Sequence, residues 1–366
     1  MNDINELLRM MLERHASDMH LRANSPVSLR VSGKLEVVAD EILSSEETAR
    51  IAMSFMNEDQ KKMFSARHEI DLSFTLEGVG RFRINIFNQR SNVNMALRHI
   101  PTEIPSIEDL NLPGIVKEIA ENQRGLVLVT GTTGCGKSTT LASMIDFINS
   151  TRSANIITIE DPIEFIHRDK KSIVSQRELG FDTLSYPDAL KNIVRQDPNV
   201  LLVGEMRDLD TMAAAITAAQ TGHLVFSTVH TVDAAQSINR IVDMFPPHQQ
   251  NQIRLMLADT LKAVISQRLL PSAKGQGRVP AVEILIVTQL IRKLIEEKNI
   301  SEIVNQMKQG QYYGMQTFHQ SLFSLIRAGQ VKLEDALFAA SNPEELMLAV
   351  RGIEPGSAGP SLIIER

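Results

Sequence analysis

The chain has 366 residues, 43% of them hydrophobic and 22% charged, with a formal net charge of −6; it exceeds the size of one ordinary core, so two domains plus an appendage are expected, and the acidic balance excludes a general attraction to nucleic acid or to an anionic membrane surface. No apolar run approaches the ~20 residues needed to span a bilayer, and the polar start Met1-Asn2-Asp3 has no signal-peptide character, so a cytoplasmic location is expected. The single cysteine, Cys135, excludes an internal disulfide and a four-cysteine zinc site.

Residues 5–15 carry Leu7, Leu8, Met11 and Leu12 at helical spacing. Residues 18–22 and 27–38 read as strands, the second folded at Ser32-Gly33, and residues 46–65 read as one helix. Residues 70–75 and 80–87 predict a hairpin about Glu77-Gly78, followed by a strand over 93–100. Together, residues 1–100 form a small α+β domain with an antiparallel sheet. Pro101, Pro105 and Leu112-Pro113-Gly114 break the pattern, so residues 101–115 are read as a linker.

Beyond the linker, short apolar strands at 126–130, 155–159, 200–203 and 224–229 alternate with helices. That alternation predicts an α/β core over residues 116–288, a mostly parallel sheet covered on both faces. Residues 281–287 can add another strand. Helices are expected over 289–350, and residues 351–366, rich in glycine and proline, are expected to be disordered.

Gly131 to Ser138 reads G-T-T-G-C-G-K-S between the apolar strand at 126–130 and a helix-forming stretch over 139–148. Gly131, Gly134 and Gly136 let backbone N–H groups, including those of Thr132, Thr133, Cys135 and Thr139, curl around phosphates. Lys137 reaches the β and γ oxygens of ATP, and the Ser138 hydroxyl can ligand Mg²⁺. The positive end of the following helix faces the same anion, where a thiol pKa tends to fall, but Cys135 reads first as a small side chain whose backbone amide alone matters.

Open α/β sheets place ligands at the carboxyl ends of their strands. There this sequence has Glu160, Asp161 and Glu164 after one strand, Gly204 and Glu205 after the next, and His230 after the last. Glu205 is the candidate Mg²⁺ partner, through water because Gly204 occupies the usual aspartate position; its alternative is an ion pair with Arg207 or Lys137. Glu164 and Glu160 are candidates to orient or deprotonate an attacking water, with Glu205 as rival, and His230 can bond a γ-phosphate. In the N-terminal domain, Arg81-Phe82-Arg83-Ile84-Asn85-Ile86 puts Arg81 and Arg83 together on one strand face, suited to phosphate recognition in trans.

These blocks together resemble the secretion ATPase superfamily, and within it the PilT-type retraction ATPases of type IV pili. The matching stretches are S-D-M-H-L at 17–21, R-F-R-I-N-I-F at 81–87, the phosphate loop with its strand at 125–140 and I-E-D-P-I-E at 159–164. They continue with R-Q-D-P-N-V-L-L-V-G-E-M-R-D at 195–208 and T-G-H-L-V-F-S-T-V-H-T at 221–231. The resemblance implies a PAS-like N-terminal domain, a RecA-like P-loop ATPase domain with a C-terminal helical extension, and a homo-hexamer with ATP held between domains and subunits. It marks residues 159–164 as an acidic box with Glu164 as general base, 200–208 as the Walker B region, and His223 and His230 as a histidine box. It also implies trans contacts from Arg81 and Arg83, a pilus platform protein in the inner membrane as partner, and docking at the cytoplasmic base of the pilus beside other pilus ATPases.

Thr132 and Cys135 stand where the family often has proline and serine, and Leu290-Ile291-Arg292-Lys293-Leu294-Ile295-Glu296 stands where its retraction motif usually reads A-I-R-N-L-I-R. Three alternatives accompany the retraction motor: a PilU-like accessory, a nucleotide-gated binding switch and a nucleic-acid translocase. The last is disfavoured by the acidic charge, the lack of tryptophan and an aromatic content of 4%.

Overall fold

The computed structural model describes residues 4–31, 33–101, 103–275 and 277–352. They form two units, one holding the residues up to 103 together with 164–166, the other holding 104–163 and the residues from 167 on. The expected disorder at 351–366 falls, from residue 353, outside the described residues, as does Ser32 of the first expected turn.

The first unit contains α1 (Ile4–Glu13), β1 (Ala16–Leu21), β2 (Ser25–Val31), β3 (Lys34–Leu43), α2 (Ser45–Ser54), α3 (Glu58–Arg67), β4 (Glu69–Leu76), β5 (Gly80–Gln89) and β6 (Asn92–Ile100). Its strands make one antiparallel sheet in the order β3-β2-β1-β6-β5-β4. The strand period sends Phe82, Ile84 and Ile86 of β5 into the core beside Met19, Leu29 and Leu97.

The single helix expected over 46–65 is two helices. Asn57 ends the run by capping α3: its side chain accepts from the Gln60 amide at 2.9 Å, and the Gln60 side chain accepts from the Asn57 amide at 2.9 Å. That reciprocal pair satisfies two amide donors that a continuous helix would have used internally.

The second unit begins with α4 (Ile115–Ala120), β7 (Gly125–Thr130), α5 (Lys137–Thr151), β8 (Asn155–Glu160), β9 (Ile173–Glu178), α6 (Tyr186–Ile193) and β10 (Val200–Val203). It continues through α7 (Leu209–Gln220), β11 (Leu224–Val229), α8 (Ala234–Asp243), α9 (Pro247–Thr260), β12 (Leu261–Pro271), β13 (Arg278–Ile286), α10 (Gln289–Glu296) and α11 (Ile300–Gln309). The described part ends with α12 (Phe318–Arg327), α13 (Leu333–Ala339) and α14 (Pro343–Val350).

Its sheet runs β13-β12-β7-β11-β10-β8-β9, parallel throughout except for β13, which turns back along β12. Every residue of β7 and β11 is buried. Alternation divides them between two apolar layers: Leu126, Leu128 and Val225 pack towards α6 to α9, whereas Val127, Val129 and Phe226 pack towards α4 and α5.

Two strands go beyond the sequence reading. β12 starts at Leu261, immediately after α9 ends at Thr260, with no glycine or proline to mark the change. β9 is an edge strand of polar composition, I-V-S-Q-R-E, with little apolar signal. The segment at 290–296 lies in α10, with Ile291, Leu294 and Ile295 buried and Arg292 paired with Asp259 at 3.1 Å. Among the described residues, no helix is long and apolar enough to cross a membrane.

His167 is buried in the second unit, with its Nδ1 lacking a partner among the described residues. Burial lowers its pKa from 6.5 to about 4, with Asp146 opposing and Lys170 assisting the shift. The folded imidazole stays neutral while the unfolded one takes up a proton below 6.5, so its contribution is present above 6.5 and lost as pH falls towards 4. The buried Glu283, raised to about 6 from 4.5 chiefly by burial, works the other way, its contribution being present below 4.5 and lost as pH rises through about 6. A His167→Leu variant isolates the histidine: between pH 7 and pH 5 the wild-type second unit should lose about 2 kcal/mol more than the variant, read by denaturant titration.

Candidate nucleotide-binding site

The loop after β7 turns through three glycines with positive φ, +141° at Gly131, +79° at Gly134 and +94° at Gly136. A Cβ on Gly131 would stand 2.5 Å from both Cys135 Sγ and the Gln267 carbonyl oxygen, whereas one on Gly134 would meet nothing within 4 Å. Gly136 is the N-cap of α5 and offers no side-chain hydrogen bond, and the first turn of that helix holds no acidic residue. The opening amides of α5 are therefore left without a capping side chain, and no side-chain charge offsets its positive end, the condition for binding an anion.

Lys137 is buried, and its Nζ donates to the carbonyl oxygens of Gly131 and Thr132, both at 3.0 Å. Ser138 and Thr139 are half-buried, while Thr132 and Thr133 are exposed. The helix is tied to the sheet by Gln267 of β12, whose Nε2 donates to Thr140 Oγ1 at 2.8 Å. A cavity of about 370 Å³ flanks the loop, lined by Gly136, Thr139, Leu269, Arg278 and Pro280.

Sheet order sets the distances of the remaining groups. β11 lies directly beside β7, β10 is second and β8 third, so at about 4.8 Å per strand the end of β8 lies roughly 14 Å across the sheet from that of β7. Of the three strands bearing candidate residues, only the one ending at His230 adjoins the phosphate-loop strand. Glu205 is held from two sides, by an ion pair with Arg207 and by His230 Nε2 at 3.2 Å. The backbone around it is fixed as well, because Thr228 Oγ1 donates to the Gly204 carbonyl at 2.8 Å and the Met206 amide donates to the Thr228 carbonyl at 3.1 Å.

Glu160 accepts from Thr158 Oγ1 at 2.6 Å and from Gln176 Nε2 at 3.1 Å. Asp161, joined to Pro162 by a cis peptide, is exposed. Among the described residues, no group of three His, Cys, Asp or Glu side chains converges closely enough to hold a metal. Ser138, Glu205 and phosphate oxygens with water remain the available donors for Mg²⁺, which commonly keeps several waters.

Glu164 is exposed and belongs to the segment 164–166 that groups with the first unit. Arg81 and Arg83 share the half-exposed face of β5 in that unit, Arg83 lying 3.5 Å from Asp71.

His223 and Cys135 stand differently from the other candidates. His223 precedes β11, and β11 runs parallel to β7 with Leu224 opposite Gly125 and Val229 opposite Thr130. It therefore stands at the opposite edge of the sheet from its own chain's phosphate loop, with Nδ1 2.9 Å from the Ala218 carbonyl oxygen. The Cys135 thiol lies beside the helix terminus, where a thiol pKa tends to fall. It is instead raised, because burial outweighs the nearby Lys137 charge and the backbone hydrogen bonds.

Two residues went unnoticed in the sequence. Gln267 lies on the unanticipated β12. Tyr186, the first residue of α6, is 8% exposed, and its hydroxyl has no hydrogen-bond partner among the described residues. That oxygen lies 2.9 Å from where a Cβ on Gly204 would be. Burial first, then Asp161, Glu205 and Glu160, raise the phenol further above its ordinary range. A tyrosine opening a short helix carries no sequence signal distinguishing it from a core aromatic.

A family model described as type II/IV secretion system protein matches residues 1–275. The type IV pilus retraction ATPase PilT of Pseudomonas aeruginosa is 44% identical over 342 residues, covering 93% of this chain and 99% of that protein. The type IV pilus ATPase PilU of the same organism is 42% identical over 349 residues, covering 95% and 91%. A crystal structure of the pilus retraction motor PilT with bound ADP superposes with a TM-score of 0.89 at 47% identity, covering 94% of this chain and 99% of that one.

The glycine geometry separates two otherwise similar substitutions. Gly131→Ala drives a Cβ into backbone and sulfur at a φ that L-residues rarely adopt, so it should cost about 2–3 kcal/mol of stability and weaken binding of a fluorescent ADP analogue at least tenfold. Gly134→Ala meets only the conformational penalty and should cost about 1 kcal/mol, read by the same melts and titrations.

Proposed function

The chain belongs to the type II/IV secretion system protein family, and we propose that it is an ATP-hydrolysing motor that powers type IV pilus retraction, working as a homo-hexamer on a platform protein at the cytoplasmic base of the pilus. The observation that carries this reading is an uncapped phosphate-binding loop in a chain that matches the ADP-bound retraction motor over 94% of its length.

On this reading the amides of residues 132–139 take the phosphate oxygens of the substrate ATP, and Lys137 turns its amine from the loop carbonyls to the β and γ oxygens. Ser138 and Glu205 would hold Mg²⁺, Glu205 through water, and the cation would supply neutralising charge at the phosphates. Glu164 takes the proton of the attacking water. Arg81 and Arg83 of a neighbouring subunit stabilise the negative charge that develops. His230 bonds the terminal phosphate and, through its contact with Glu205, relays the phosphate's departure to the end of β10. Glu160 and Asp161 complete the acidic edge. The 42% identity to PilU favours a second reading, an accessory motor beside a principal one.

Phosphate release by the purified chain should be abolished by Lys137→Ala. Glu164→Gln should slow it by about 10²–10⁴-fold with nucleotide affinity retained. In cells lacking the chain, live imaging of labelled pili should show retraction restored by wild type but not by Lys137→Ala. Retraction that persists without the chain would move the assignment to the accessory role.

A further inference from the structure

Tyr186 carries a buried hydroxyl that bonds nothing among the described residues, placed against the end of β10 at Gly204. Its position is built. Ser185 caps α6 by accepting from the Asp188 amide, Pro187 follows in the first turn, and the ring belongs to the apolar cluster of Ile159, Val203 and Met206. The hydroxyl projects over the end of β10 into the volume a side chain at position 204 would need, since a Cβ there would come within 2.9 Å of it, 3.2 Å of the Ile159 carbonyl oxygen and 3.4 Å of Glu160 Cα. Gly204 and Tyr186 are thus two halves of one arrangement: the strand end gives up its own side chain, and a phenol from the neighbouring helix takes the space.

A buried hydroxyl without a partner is uncommon in a native protein and is accounted for where a water or ligand completes it. The surrounding groups say what that partner is. Asp161, Glu205 and Glu160 all bear on the phenol, and ionised carboxylates only accept hydrogen bonds. A water that completes the hydroxyl can donate to a carboxylate and keeps its lone pairs for a donor or a cation. Glu160 Oε1 already accepts from Thr158 and Gln176, and Glu205 carries Arg207 on Oε1 and His230 on Oε2, each Glu205 oxygen keeping a further lone pair for a water.

We propose that the Tyr186 hydroxyl is a positioning group of the nucleotide site, donating a hydrogen bond to a water at the ends of β8 and β10 through which Glu205 reaches the divalent cation. This rests on the ATPase reading. Tyr186 touches neither the phosphates nor the cation; it orders the hydration through which the carboxylates act.

The test is Tyr186→Phe in the full chain, compared with wild type in three measurements. Thermal stability should be unchanged or higher, because no protein group among the described residues bonds the oxygen that the variant removes. Affinity for a fluorescent ATP analogue in EDTA should stay within about twofold, because the phosphate loop is intact. The Mg²⁺ concentration giving half-maximal ATP hydrolysis should rise about fivefold or more, and kcat should fall. Unchanged Mg²⁺ dependence and kcat would overturn the proposal. So would a joint loss of stability and of Mg²⁺-free binding, which marks a packing role. A wild-type chain that binds the analogue but hydrolyses no ATP at any Mg²⁺ concentration overturns the ATPase reading and this proposal with it, and wild type alone reveals that outcome.

Discussion

Parallel hydrogen bonding of β7 to β11, with Leu224 opposite Gly125 and Val229 opposite Thr130, is the constraint from which the rest of the second unit follows. Because β10 keeps level with β11, and β8 with β10, four strands reach the same edge together. The phosphate loop, Glu160, Glu205 and His230 are therefore delivered by strand ends and loops along one line, and helices must cover both faces to bury a sheet whose central strands are apolar on either side. A one-residue slip of β11 would exchange the side chains facing its two layers, which the packing of Val225 against one and Phe226 against the other forbids.

Legibility in the sequence tracked how local the determinant was. The phosphate loop could be read because its three glycines answer a backbone requirement that spans only six residues. The two faces of β5 could be read because strand period alone assigns Phe82, Ile84 and Ile86 to one side and Arg81 and Arg83 to the other. The order of the strands could not, since nothing in the order of the chain says that β11 separates β7 from β10. His223 illustrates the gap: it lies close in sequence to His230, and the length of β11 sends the two to opposite edges. The division of the 46–65 helix turned on whether Asn57 caps or continues, a choice settled by the reciprocal bonds with Gln60. Cys135 shows a different limit, where a real helix-terminus effect was outweighed by burial that tertiary packing alone decides.

The polar edge is more tightly tied than a row of candidate acids suggests. Glu205 is bound by Arg207 and by His230, while Thr228 and Met206 lock the ends of β10 and β11 through the backbone. Movement of His230 therefore reaches Glu205 by two routes, one through side chains and one through the peptide chain. That redundancy suits a site in which a change at one strand end must be felt at the next, and it is specific to the pair of adjacent strands; Glu160 is tied instead to Gln176 of β9 on its other side.

The amine of Lys137 already spends two hydrogen bonds on the carbonyls of Gly131 and Thr132. Anion capture by this loop is accordingly an exchange of acceptors, and the enthalpy recovered is the difference between a phosphate oxygen and a peptide oxygen. Such a loop is held in shape by its own cation before any ligand arrives, which keeps the ordering cost of binding low. It also weakens the hold on a poorly charged leaving species, because the carbonyls stand ready to take the amine back: release of spent nucleotide has a competing acceptor built into the binding loop.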